Sequence, residues 1–140
     1  MASLSFDLRL DEISPSLARL GTQKLRDQLL MGMGTVMVSM GQRAFDEPQL
    51  RPAPWAKRKS PKGKHPLLIK SGDLRQGLHL SKAGSDTVRV GSPARYAATH
   101  QLGRDAIPPR PFFPVLQDQL TGHARAEIGD VMTALIGKAV

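Results

Sequence analysis

The chain has 140 residues, the size of one ordinary domain, and its 20 lysines and arginines against 12 acidic residues give a formal net charge of +8. Cysteine is absent, which excludes disulfide frameworks, thiolate metal sites and cysteine nucleophiles and favours a chain made and used in a reducing cytoplasm. Only 4% of the residues are aromatic, which disfavours a nucleic-acid binder that stacks bases on a sheet of rings. We expect a single domain over residues 1–140.

The first eleven residues are expected to form a strand. Apolar residues alternate with polar or charged ones from Leu4 to Leu10, as in a strand with one buried face. The same residues include acids and lack the apolar core of a signal peptide. The longest uncharged run near the N-terminus, residues 28–42, is broken by glycines and is shorter than the roughly 20 apolar residues of a membrane-spanning helix. No membrane partner is therefore expected.

A long helix is predicted next. Ser14 is a favoured N-cap, Pro15 suits the first helical position, and apolar residues then recur at steps of three or four until about Phe45. Several glycines interrupt this helix, and they indicate the close approach of another backbone. The Gly- and Met-rich part, residues 29–40, either offers apolar surface to a neighbouring subunit or fills the chain's own core.

Most of the positive charge lies in one stretch. Residues 48–70 hold seven lysines and arginines, no acid and five prolines, whereas the rest of the chain has 13 basic and 12 acidic residues. Because proline blocks helix interiors and central strands, residues 48–66 are predicted to form a long loop, called the basic loop below. It either contacts phosphates or an acidic protein ring, or is simply solvated. The candidate contacts are Lys57, Arg58, Lys59, Lys62 and Lys64.

Trp55, the only tryptophan, lies in this basic loop. It either anchors the loop to the domain or marks a contact with a partner. We favour the loop anchor.

Short elements follow the basic loop. A capped short helix is expected around residues 71–75, and a hairpin is expected between residues 77–83 and 87–91, where apolar and polar residues alternate around a turn. Residues 94–102 are predicted to form a short helix that ends at Gly103.

The C-terminal part combines an extended connector with a helix. Residues 107–114 are rich in proline and must be extended, and their PxxP spacing suggests either a polyproline ligand or a rigid connector whose Phe112 and Phe113 plug the core. Apolar residues from Leu116 to Ala139 then recur at steps of three or four, which predicts a second amphipathic helix.

The search for chemistry finds no catalytic, metal-binding or cofactor-binding residues. The chain has no Walker-type phosphate loop, no nucleophile elbow, and no metal-ligand spacing among its four histidines. We interpret His100 as a structural histidine near a helix end, with a functional role as the alternative. A hydrolase of peptidoglycan or nucleic acid is a further hypothesis, but the sequence contains no catalytic constellation to support it.

The order of these features resembles the phage virion morphogenesis family, the tail-completion or neck proteins of long-tailed bacteriophages, including Mu-like phages. The resemblance covers residues 44–114, about half of the chain. Its motifs are Pro54-Trp55, the segment Leu67-Leu68-Ile69-Lys70-Ser71-Gly72-Asp73-Leu74-Arg75, Val88-Arg89-Val90-Gly91-Ser92, Tyr96-Ala97-Ala98-Thr99-His100-Gln101-Leu102-Gly103, and Ile107-Pro108-Pro109-Arg110-Pro111-Phe112-Phe113.

The resemblance implies an α+β fold, in which a small, mostly antiparallel sheet packs against a long N-terminal helix and a C-terminal helix. It implies a structural, non-enzymatic role in tail completion and head–tail joining, as a ring around the DNA channel in the virion neck, assembled in the cytoplasm of the bacterial host. The expected partners are copies of the chain itself, other neck, connector or tail proteins, and packaged DNA. The candidate subunit contacts are Asp73, Arg75, Arg104 and Arg110. For Asp73 and Arg75 the alternative is that they simply cap the short helix.

A small basic nucleic-acid-binding module is the alternative function. It would bind nucleic acid tightly as an isolated monomer, with an affinity that falls steeply as salt rises. The scarcity of aromatic residues and the lack of a recognisable binding motif argue against it.

Overall fold

The computed structural model describes residues 4–56, 73–93, 97–103, 107–116 and 119–139. The strands in these ranges are β1 (Leu4–Arg9), β2 (His79–Gly84), β3 (Thr87–Ser92), β4 (Val115–Leu116) and β5 (Gln119–Leu120). The α-helices are α1 (Leu10–Ile13), α2 (Pro15–Leu20), α3 (Gln23–Arg43), α4 (Asp73–Gln76), α5 (Ala97–Leu102) and α6 (Gly122–Ala139). A 3-10 turn, Pro48–Leu50, follows α3. Helices and antiparallel strands together confirm the α+β class.

The main sheet has three antiparallel strands in the order β1-β3-β2. Phe6 on β1 lies opposite Val90 on β3, which in turn lies opposite Leu80 on β2. The side chains of Leu8, Val88 and Val90 are buried, so the apolar face of the sheet covers the core and packs against α3. The strand and the hairpin predicted from alternating residues are therefore confirmed, with β3 in the centre.

The prediction of one continuous helix between residues 14 and 45 is wrong, because the structure has two helices there, α2 and α3. Ser14 caps α2 by accepting a hydrogen bond from the Leu17 amide at 3.4 Å, and Pro15 is the first residue of that helix. The chain then turns at Gly21, and Thr22 starts a new helix by accepting a hydrogen bond from the Leu25 amide at 3.1 Å. The helix is interrupted because Thr22 is itself a good N-cap, with an extended backbone.

The C-terminal helix begins later than the apolar spacing predicts. Leu116 and Leu120 lie in the small β4–β5 hairpin, and α6 starts at Gly122. The Thr121 hydroxyl accepts a hydrogen bond from the Ala124 amide at 3.3 Å, while the Thr121 amide donates to the Pro114 carbonyl at 3.1 Å. These contacts set the start of the helix.

The Gly- and Met-rich face of α3 fills the chain's own core. Met33, Met37 and Met40 are fully buried, and Met31 is the exposed methionine of this part of the helix. The closest atoms to the glycines of α3 belong to side chains, which corrects the expectation of another backbone at Gly32 and Gly34; at Gly41 the Phe112 carbonyl oxygen also lies within 4.0 Å of the Cβ position. A Cβ atom at Gly41, for example, would lie 2.9 Å from Cδ1 of Leu78.

Substitution by alanine at two helical glycines should change the free energy of unfolding in opposite directions. A Cβ atom at Gly129 in α6 would meet no atom within 4 Å, so Gly129→Ala is expected to raise the free energy of unfolding by about 0.5–1 kcal/mol. A Cβ atom at Gly34 in α3 would lie 3.0 Å from Cγ2 of the buried, stiff Val88, so Gly34→Ala is expected to lower stability. Urea midpoints of both variants at low protein concentration check this pair. Equal shifts in both would contradict the packing described.

Candidate interaction site at the base of the basic loop

The lysines and arginine proposed as contacts, from Lys57 to Lys64, lie outside the described residues. The structure shows instead the points where the chain enters and leaves residues 57–72. The entry point consists of residues 48–56 together with the residues they contact, and we call it the loop base. Its core is aromatic, with the Phe45 ring 5.8 Å from Trp55 and 5.3 Å from Phe112.

Trp55 is half-buried at the loop base. Its Nε1 donates a hydrogen bond to the Pro111 carbonyl at 2.7 Å, and its ring packs edge-on against Phe45. The indole therefore links the loop base to Pro111, which lies 56 positions later in the sequence. That Trp55 anchors the basic loop stays a prediction, because the rest of that loop lies outside the described residues.

Arg51 connects Trp55 to the end of α3. Its guanidinium lies 3.5 Å above the centre of the Trp55 ring. The same group donates to two carbonyls that follow the helix, from Nε to Ala44 at 2.6 Å and from Nη2 to Phe45 at 3.0 Å. A cation at the carbonyl end of a helix is stabilised by the helix dipole. Burial lowers the pKa of this guanidinium.

Arg110 holds the last described residue before residues 57–72. Its Nε donates to the Ala56 carbonyl at 3.0 Å, and its backbone amide donates to the His100 carbonyl at 2.7 Å. Arg110 therefore ties the connector to the loop base within the same chain. Its predicted contact with a neighbouring subunit stays a prediction.

The exit point lies at the same end of α3. The Arg75 guanidinium forms an ion pair with Asp46 at 2.8 Å, and the Gln42 side chain donates to the Arg75 carbonyl at 3.4 Å. The side chain of Asp73 and the whole of Arg104 lie outside the described residues, so their predicted subunit contacts stay predictions.

Gln101 on α5 organises the connector that carries Pro111 and Arg110. Its Oε1 accepts from the amides of Phe112 at 3.1 Å and Phe113 at 2.9 Å. Its Nε2 donates to the carbonyls of Phe113 and Val115, both at 3.1 Å. Phe112 and Phe113 are buried, as the rigid-connector hypothesis predicts. Gly103, with φ of +76°, then ends α5 in the left-handed conformation that glycine favours.

His100 is half-buried in α5, close to its C-terminal end. Burial lowers the pKa of its imidazole, and the nearby charge of Arg110 lowers it further. The pKa shift thus has an ordinary structural cause.

The sequence analysis did not predict the roles of two residues of this site. Arg51 was counted only as part of the basic charge, and Gln101 was named only as part of a motif that carries the family resemblance. Gln101 did leave a signal, because a proline-rich connector lacks amide donors and its remaining backbone groups need side-chain partners. Nothing in the sequence around Arg51 indicated that its side chain donates hydrogen bonds to the carbonyls at the end of α3.

Arg51→Lys is expected to lower the free energy of unfolding by about 1–2 kcal/mol, because lysine keeps the charge but loses the planar fork and the stacking. Urea unfolding followed by fluorescence measures this directly, since Trp55 is the only tryptophan. Arg125→Lys, on the exposed side of α6, is the matched control and should be neutral. Equal stability of the two variants would show that the fork at Arg51 contributes nothing.

The described residues show no arrangement typical of a metal centre or a membrane span. Within the described ranges, no three His, Asp or Glu side chains are grouped as ligands for a metal ion. None of the helices found there is both long and apolar enough to cross a bilayer. What the site offers is a fixed base for a basic segment.

Comparison with known protein families gives a match over most of the chain. The model of the phage virion morphogenesis family matches residues 8–136, and so includes α2, α3, most of α6 and the described residues of the loop base. No curated protein and no solved structure gives a significant match to the chain.

Proposed function

This chain belongs to the phage virion morphogenesis family, and from that premise we propose that it completes the tail of a long-tailed bacteriophage and joins it to the head. Membership of the family supports a structural role in phage virion morphogenesis. The observation that carries the proposal is the family match, since it spans nearly the whole chain. We propose further that the protein acts in the virion neck as a ring of copies around the DNA channel, next to connector or tail proteins.

The distribution of charge supports this proposal. Residues 57–72 contain six of the 20 basic residues and no acid. In the described ranges, by contrast, 12 basic residues almost balance ten acidic ones. A balanced scaffold can pack against copies of itself without strong repulsion, while a concentrated basic segment is attracted to phosphates or to an acidic surface.

The loop base gives the basic segment a defined origin. Trp55 and Arg110 hold the chain just before residue 57, and Arg75 holds it just after residue 72. We propose that the basic residues between these points contact packaged DNA or a neighbouring ring. Asp73, Arg75, Arg104 and Arg110 remain candidates for contacts between subunits.

A phage that lacks this protein tests the proposal. We expect its lysates to contain filled heads and separate tails that do not join, and we expect wild-type protein supplied from a plasmid to restore infectious particles. Electron microscopy and plaque counts measure both. Infectious particles formed at the normal yield without the protein would overturn the proposed function.

Variants of the basic loop test the role of its charge. Lys57→Gln combined with Lys59→Gln is expected to reduce the yield of joined particles in the same complementation assay. The matched control replaces two exposed cations elsewhere, Arg19→Gln and Arg125→Gln, and should complement fully. If both pairs complement equally well, the basic loop has no special role in joining.

The alternative, a small nucleic-acid-binding module, rests on the same basic segment. It requires that the isolated protein bind DNA with an affinity that falls steeply with salt. The aromatic rings at the loop base do not favour base stacking, since Trp55 is packed against Phe45 and Arg51. A gel-shift titration at low salt separates the two functions, because only the alternative needs tight binding by the protein outside the virion.

A further inference from the structure

A groove runs between α3 and α6 on the outside of the molecule, with a volume of about 480 Å³. Its wall on α3 includes Met31, Gly32 and Thr35, and its wall on α6 includes Val131 and Leu135. The side chain of Met31 is 46% exposed, which is unusual for an apolar residue in this helix. The groove is therefore an apolar surface that the described residues leave open to solvent.

The shape of the groove suits a third helix. The two helices run antiparallel. Gly32 faces Leu135 near one end of the groove, and near the other end Nη2 of Arg43 donates a hydrogen bond to Oε1 of Glu127 at 2.9 Å. The lining residues repeat at steps of three and four on α3 and at steps of four on α6, so each wall of the groove has helical spacing. An amphipathic helix packs into such a groove through its own apolar residues at the same steps.

The charge at one end of the groove indicates what the helix should carry. Lys24 and Lys138 line a second cavity, which shares Gln28 and Leu135 with the groove as lining residues. Neither lysine forms an ion pair with a residue that the structure describes. Other basic residues, by contrast, form ion pairs with six acidic residues of the described ranges, namely Asp7, Asp11, Asp27, Asp46, Asp86 and Glu127.

We propose that this groove binds an amphipathic helix of a partner protein, with apolar residues at steps of three or four and with carboxylates at the end that meets Lys24 and Lys138. The inference goes beyond the proposed function, because the lysine end of the groove and the loop base lie at opposite ends of α3. At 1.5 Å per residue, the distance between Lys24 and Arg43 along the helix is about 30 Å. The protein thus has two separate binding surfaces.

The probe is a labelled synthetic peptide of about 15 residues, which as a helix spans roughly 20 Å. It carries leucines at steps of three and four and two glutamates at one end. Titration into the full-length protein, followed by fluorescence anisotropy, is expected to give saturable binding. A peptide of the same composition in scrambled order should not bind, because its apolar residues would not share one face.

Two variants locate the site and test the charge. Thr35→Arg places a long cation in the groove and should abolish binding. Lys24→Glu combined with Lys138→Glu should weaken binding of the glutamate peptide about tenfold, equivalent to 1.4 kcal/mol. A peptide with lysines in place of its glutamates should then bind this double variant as tightly as the original pair. The control, Arg19→Glu with Arg125→Glu, makes the same charge change away from the groove and should have no effect.

Circular dichroism and urea midpoints establish that each variant is folded. Absence of binding, equal binding of the scrambled peptide, or affinity unaffected by the lysine reversal would each overturn the proposal. So would sedimentation showing an oligomer that Thr35→Arg converts to monomer, since a second copy would then occupy the groove. These results leave the proposed function testable, because head–tail joining is measured independently in phage lysates.

Discussion

Gln101→Met is expected to lower the free energy of unfolding by at least about 3 kcal/mol, although methionine has nearly the same shape as glutamine. The Gln101 amide makes four hydrogen bonds of 2.9–3.1 Å to the backbone of Phe112, Phe113 and Val115. The substitution leaves those backbone amides and carbonyls buried without a hydrogen-bond partner. Each lost hydrogen bond lowers the free energy of unfolding by about 1 kcal/mol or more. Urea unfolding measures the total.

Two companion variants separate the lost hydrogen bonds from other effects. Leu102→Met changes the neighbouring residue of α5, which is 72% exposed, and should shift stability by less than about 0.5 kcal/mol. Gln101→Glu keeps an acceptor for the two amides but loses both amide donors, so it should also destabilise the protein. If Gln101→Met is as stable as Leu102→Met, the connector is held by its apolar side chains alone.

Phe112→Ala is expected to cost about 3–5 kcal/mol, because it leaves a cavity where a fully buried ring lay. The ring is packed 5.3 Å from Phe45, which itself contacts Trp55, so the loop base loses support together with the core. Unfolding followed by Trp55 fluorescence and by circular dichroism measures both effects.

The control for Phe112→Ala is Leu116→Ala in β4. Leu116 is 48% exposed, so its truncation should cost less than about 1 kcal/mol. A cost for Phe112→Ala no larger than that of Leu116→Ala would show that the connector does not plug the core.

The parts of the fold that depend on local pattern could be predicted from the sequence. Alternation placed β1 and the hairpin, Ser14 and Pro15 started α2, and Gly103 ended α5. The family was also identified correctly, since motifs within residues 44–114 indicated what the match over residues 8–136 confirms.

The two wrong helix predictions, one continued across Gly21 and one begun at Leu116, share a physical cause. Apolar residues at steps of three or four predicted helices across Gly21 and from Leu116 onward, yet a threonine cap starts the helix in each case. Thr22 and Thr121 have polar side chains that satisfy free amides at a helix start, and this local hydrogen bond outweighs the continuity of the apolar stripe. Leu120 then fits a helical step without belonging to the helix.

The site was predictable in composition but not in geometry. The charge of the basic loop and its tryptophan are evident in the sequence, whereas the partners of that tryptophan are not. The contacts from Trp55 to Pro111 and from Arg110 to Ala56 join residues 56 and 54 positions apart. No periodicity indicates pairs at such separations, so the loop base could only be found from the folded chain.

The attachment of Ala56 and Arg75 near one end of α3 limits how far residues 57–72 can extend. An extended chain covers about 3.3–3.6 Å per residue, so 16 residues that must leave and return reach at most about 30 Å from that end. A partner bound by the basic residues of this stretch would therefore have to lie within about that distance of the helix end. Inserting residues into the stretch would increase this distance, and deleting them would bring the contact toward the helix end.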